Sequence, residues 1–234
     1  MASVPPGWDG RLSVECVLAG QGIDPRAVSA MMPALREAAA RALPRGLALV
    51  EPFAATQLIA ICSRDESGVV LEDGTRLEGE EPIRRLAGAT RALLCACTIG
   101  PGIDREVAAL FPEDPVLALA LDGLGCAALE ALAAAIRQDA REAARRDGCE
   151  VTAALAPGVE GWPLAHGQRQ IFAALGPLER LRLGESGQMW PVKSVSFVAG
   201  VGPHVKRHES EECEGCGARE RCRWRTARRK IAEG

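Results

Sequence analysis

The sequence predicts an α+β fold built on an antiparallel sheet with flanking helices, and three observations carry that expectation. Strand-like runs follow one another in hairpin-like succession and do not alternate with helices. GVVLEDGTRLEG, residues 68–79, alternates apolar and polar positions about Asp73-Gly74, a pair suited to a type I′ turn. PVLALALDGLGCAALEALAAAIRQDAREAARRDG, residues 115–148, reads as one long helix with Pro115 near its first position and Gly148 beyond its end.

The elements follow in chain order. RLSVECVLA, from Arg11, looks like a short strand. An Ala-rich helix is expected from about Pro25 to Ala42, stopping at Leu43-Pro44. GLALVEPFAATQLIAIC, residues 46–62, reads as two strands or one long bent strand, with Pro52 at an edge or bulge. After the 68–79 hairpin, RALLCACTIG, residues 91–100, is a buried strand entering a Gly-Pro-Gly turn, and IDREVAALF is a short helix. The long helix is apolar all round in its first half and charged in its second, so its first half should be central. VTAALAPGVEGWPL, residues 151–164, is too apolar for an idle solvent loop and carries Pro and Gly that forbid a helix. A helix over AHGQRQIFAAL follows, then LRLGESGQMW and SVSFVAGVG as a final pair of strands around PVK.

Composition bounds the function. The 234 residues are 47% hydrophobic, enough for one sizeable core, and 25% charged. The net charge of -3 argues against a general nucleic-acid binder. There is no tyrosine, so no mechanism can use a phenol. Residues 1–203 form the expected domain, and residues 204–234 a charged, Cys-rich tail holding nine Lys/Arg and six Asp/Glu. No signal peptide is visible at MASVPPGWDG. Asp122 and Glu130 interrupt the longest apolar run, so it reads as a buried helix, not a membrane span. The odd number of cysteines, nine, then reads as cytoplasmic thiols or metal ligands.

Three constellations could carry chemistry. Asp122, Cys126 and Glu130 are spaced four and four, so they share one helix stripe. Gly123 and Gly125 beside them thin the helix, so another group could approach two acceptors suited to a cation or an amine. In MWPVKSVSF, residues 189–197, Lys193 offers a cation and Ser194 and Ser196 share one strand face, which suits a phosphate, a carboxylate or a corrin side chain. In the tail, Cys213, Cys216 and Cys222 are spaced C-x2-C-x5-C with His208 ahead of them, a ligand set for zinc or an iron–sulfur cluster. The basic run after Cys216, with Trp224 inside it, reads as a solvated terminal helix. Cys95 and Cys97 read as core packing. No phosphate-binding Gly-rich loop and no G-x-S-x-G elbow is present.

Residues 115–203 resemble the activation domain of cobalamin-dependent methionine synthase, in particular its small stand-alone relatives. GCAALEAL, APGVEGWPLAHGQRQIFAALG and GESGQMWPVKSVSFVAGVG occur in that family's order, and MWPVKSVS is the most specific piece. CTIGPGID and a C-terminal cysteine cluster fit the stand-alone group. The resemblance implies a C-shaped α+β domain that binds S-adenosylmethionine and docks on a corrinoid-binding protein or methyltransferase, whose cobalamin it helps to remethylate after oxidation. It places Glu130 near the sulfonium ligand and Pro157 and Gly158 at the adenosine side, with Trp190, Pro191, Ser194 and Ser196 in the second block. The family's loop reads Arg-x-x-Pro-Gly-Tyr, whereas Ala154 and Val159 stand at the Arg and Tyr positions here. Lys193 is then the cation that could replace the arginine from across the site.

The leading expectation is a reactivation module for a methionine synthase-like methyltransferase, acting on its partner's cobalamin, with no nucleic acid and no membrane involved. Two alternatives use the same scaffold. One is a metal- or iron–sulfur-bearing electron carrier or sensor, liganded by His208, Cys213, Cys216 and Cys222. The other is a binder of a different small-molecule ligand.

Overall fold

A computed structural model describes residues 4–24 and 32–205. The tail, with His208, Cys213, Cys216, Cys222 and Trp224, lies outside the described residues, as do Pro25 to Met31 of the expected Ala-rich helix.

The centre is a six-stranded sheet in the order β3-β2-β1-β4-β8-β5, antiparallel throughout. Its strands are β1 (Phe53–Asp65), β2 (Gly68–Leu71), β3 (Arg76–Glu78), β4 (Arg91–Thr98), β5 (Glu150–Val151) and β8 (Ser194–Gly202). A separate two-stranded ribbon pairs β6 (Arg182–Leu183) with β7 (Met189–Trp190). Six helices stand among the described residues: α1 (Val14–Gly20), α2 (Pro33–Leu47), α3 (Glu80–Arg85), α4 (Gly102–Leu110), α5 (Pro115–Arg146) and α6 (Leu164–Leu175). This is the expected α+β architecture.

The strand β4 is central because it can be buried on both faces. Every residue from Ala92 to Thr98 is buried, and alternation sends them to different cores. Ala92 and Leu94 face a core with Leu155, Trp162, Ile171 and Val198, roofed by α6. Cys95 and Cys97 face a core with Leu132, Ile136 and Phe197, roofed by α5. A third core, of Val17, Leu18, Ala39, Leu121 and Leu124, ties α1 and α2 to the first half of α5. By length and composition α5 could cross a membrane, but 61% of its most apolar stretch is buried within the molecule.

Four local expectations are corrected. RLSVECVLA is not a strand. Ser13 caps a helix there, its Oγ accepting from Cys16 N at 3.4 Å, and the three buried residues Val17, Leu18 and Ala19 are wedged among helices. Pro44 does not end α2, which runs on to Leu47; so close to the helix end, the proline removes little of the ladder. The Asp73-Gly74 turn is not type I′, because only Gly74 has a positive φ, +84°. Leu71 and Thr75 close a three-residue loop instead, with Thr75 N held by Asp73 Oδ1 at 2.9 Å. Finally, LRLGESGQMW does not pair with SVSFVAGVG: it folds on itself as the β6–β7 ribbon, and β8 pairs with β4 and β5. Of the two readings of residues 46–62, the long bent strand is the one formed, as β1, with a register shift between Ile61 and Ser63.

Candidate functional site

The Asp122–Cys126–Glu130 stripe lies on α5, and the chain's own groups already occupy its thinned face. At Gly123 the α1 backbone arrives: a Cβ there would meet Val17 O at 2.8 Å and Gln21 N at 3.0 Å. At Gly125 the Lys193 stem crosses the helix, and a Cβ would fall on its Cδ and Cε. Backbone pairing fixes that lysine. Its carbonyl accepts from Thr98 Oγ1 at 2.9 Å and from Ile99 N at 3.3 Å, at the end of β4.

The Lys193 ammonium donates to Asp122 Oδ1 at 2.7 Å and lies 3.4 Å from Asp104 Oδ1 of α4, with 10% of the side chain exposed. Burial works to lower its pKa, but the hydrogen bond to Asp122 and the charges of Cys126, Asp122 and Asp104 outweigh it, so the pKa is raised. Burial pushes the Cys126 thiol up, against the pull of Lys193. Lys193 is thus committed to two internal carboxylates and is not a free cation for a ligand.

Glu130 lies further along the stripe and pairs with Arg137, Oε1 to Nη2 at 2.9 Å. Arg137 is a residue the sequence reading missed, although it sits on the same helix face two turns on. Its guanidinium stands 5.9 Å from the centre of the Phe197 ring, with 15% of the side chain exposed. Ala154 packs into the same cluster as Phe197. A cation therefore stands close to where the loop lacks one.

The 151–164 loop begins as an extension of β5 alongside β8. Thr152 N donates to Gly200 O, and Leu155 and Val198 exchange hydrogen bonds at 2.8 and 2.9 Å. Beyond Leu155 the loop departs, which leaves residues 194–197 of β8 without a strand partner on that side among the described residues, although Ser196 and Phe197 are buried there. Its exit is anchored by Trp162, fully buried, with Nε1 donating to Gln170 Oε1 at 2.9 Å. Pro157 is buried against α6 at Gly167, where any Cβ would clash with Pro157 and Trp162. Gly158 is exposed, with φ +102°. Two buried polar atoms between β8 and α6 have no partner: Ser196 Oγ and Gln168 Oε1. Alternation puts Ser196 on the α6 side of β8, with Val198, and Phe197 on the α5 side, where Arg137, the partner of Glu130, stands over its ring.

The second block is split as well. Ser194 Oγ donates to Pro191 O at 2.6 Å, closing the turn after the cis Trp190-Pro191 peptide. Trp190 and Pro191 line a separate cleft of about 730 Å³ between α4 and the segment leading into β6. The structure therefore groups Glu130 with Arg137, Lys193 with Asp122, and Pro157 with α6, while Trp190 and Pro191 line the cleft beside α4. Among the described residues no cluster of three or more His, Cys, Asp or Glu could hold a metal.

No protein-family model matches this sequence, and no curated protein is similar to it. Among solved structures, the chain is similar to the MetH reactivation domain in its crystal structure bound to AdoHcy, with a TM-score of 0.61 over 99% of this chain and 89% of that one. At 16% identity the likeness is one of fold.

Proposed function

We propose that this chain is a reactivation module for a corrinoid-dependent methyltransferase, taking S-adenosylmethionine at the unpaired edge of β8 and docking on a corrinoid-carrying protein. The observation that carries this reading is the near full-length likeness to the MetH reactivation domain bound to AdoHcy. The bound S-adenosylmethionine would supply an electrophilic methyl group. The protein's part is to hold and orient it.

Glu130 and Arg137 suit the amino-acid end of such a ligand. They are opposite charges 2.9 Å apart at a partly buried position, so a zwitterion could meet each with its complement. Arg137 would supply, for the ligand's carboxylate, the cation that the loop lacks at Ala154. Gly158 offers exposed backbone to the adenosine side. Ser196 Oγ and Gln168 Oε1 are unpaired polar atoms that a ligand's own groups, or a water, would satisfy.

Calorimetry with S-adenosylmethionine and with AdoHcy tests this. Wild type should bind, and Glu130→Gln and Arg137→Met should each weaken binding about tenfold, as expected for losing one charged hydrogen bond. No heat with either ligand, or unchanged affinity in both variants, would overturn the site.

A further inference from the structure

The cleft beside Trp190 is set up for an anion. Arg105, Arg180 and Arg182 line this cleft together, and their guanidinium groups have no ion pair or hydrogen bond to another described residue, as is also true of Arg11, Arg145 and Arg146 elsewhere on the surface. Arg105 comes from α4, and Arg180 and Arg182 from the opposite wall. One acid of the cleft, Asp104, is turned to Lys193 at 3.4 Å, which leaves Glu179 as the remaining carboxylate in the lining. The cleft is thus net positive on a chain whose net charge is -3.

Its floor is aromatic and apolar. Trp190 is 47% exposed and Val192 49% exposed, beside Pro191 and Leu178. Trp190 is also the direct cross-strand partner of Arg182, so ring and guanidinium share one face of the ribbon. A volume of about 730 Å³ falls in the range of small-molecule sites. Convergent arginines match phosphate oxygens, and an exposed indole is a stacking platform for a flat base. A cationic sulfonium has no electrostatic reason to enter.

We propose that this cleft is a second ligand site that binds a nucleotide, with its phosphates on Arg105, Arg180 and Arg182 and its base on Trp190. The site stands apart from the Glu130–Arg137 edge and does not depend on it.

ADP is the probe, titrated into the full-length protein by calorimetry and tryptophan fluorescence. ADP should bind and quench Trp190. Adenosine, which lacks phosphate, and pyrophosphate, which lacks the base, should each bind at least about tenfold more weakly. Arg180→Ala/Arg182→Ala and Trp190→Ala should each cost about tenfold or more in ADP affinity with wild-type melting curves, while Arg223→Ala/Arg225→Ala in the basic tail should leave it unchanged. The proposal is overturned by no binding at millimolar ADP, by affinity that survives the cleft variants, or by a cleft that takes polyglutamate and not ADP.

Discussion

The seam along α5 and the cleft at Trp190 handle charge in opposite ways. In the seam, each group brought near the helix finds its complement within the chain: Lys193 with Asp122 and Asp104, and Glu130 with Arg137. In the cleft, three arginines converge without a described partner around an exposed indole. A buried charge left unpaired is costly, whereas an exposed one is hydrated and free to bind. The Lys193 end of the seam therefore reports mainly on stability, the partly exposed Glu130–Arg137 end on both stability and the proposed ligand, and the cleft on ligands alone.

Three substitutions would break or sharpen that contrast. The largest effect should come from Gly123→Ala, whose new methyl would press on the α1 backbone at Val17 O and Gln21 N, neither of which can swing aside. Thermal melts should show a loss of about 1–3 kcal/mol, the usual cost of overpacking. Lys193→Met should cost about 1 kcal/mol near neutral pH, since it leaves Asp122 and Asp104 without their shared cation.

The same variant carries a pH signature. The Lys193 pKa is raised on folding, so its contribution is complete below the ordinary lysine value and is lost as pH climbs through the folded one. The raised Cys126 thiol acts in the same direction, because the folded state disfavours the thiolate. Wild type should therefore lose the Lys193 contribution only above about pH 10.5, and Lys193→Met should lose less stability over that range; equal slopes there in urea melts would contradict the pairing. The smallest effect belongs to the cleft. Arg180→Ala should change stability by less than about 0.5 kcal/mol, since no described contact is removed.

Legibility in the sequence followed the same division. The buried β4, the long α5 and the hairpin at 68–79 could be read because each has a local signal of period, cap or turn. The strand expected at RLSVECVLA failed because a short apolar run does not separate strand from helix, and only contact with α5 and α2 decides it. The stripe on α5 was legible as geometry, but its occupant was not. That Lys193 would reach across Gly125 to Asp122, 71 residues away in sequence, depends on the pairing of β4 with β8. Arg137 was within reach of sequence reasoning, since the stripe needed only to be followed past Glu130. The three arginines of the cleft were not, because α4 and the β6–β7 ribbon meet only in the folded chain.

The central claim is that the molecule acts on a corrinoid held by another protein. Its most direct test is the visible spectrum of a corrinoid-carrying methyltransferase, poised with divalent cobalt and an electron donor, followed with and without this chain and S-adenosylmethionine. The account predicts conversion to the methylated cofactor only when both are present, and slower conversion with Glu130→Gln. A corrinoid spectrum unchanged by this chain, across the corrinoid proteins of the same organism, would contradict it.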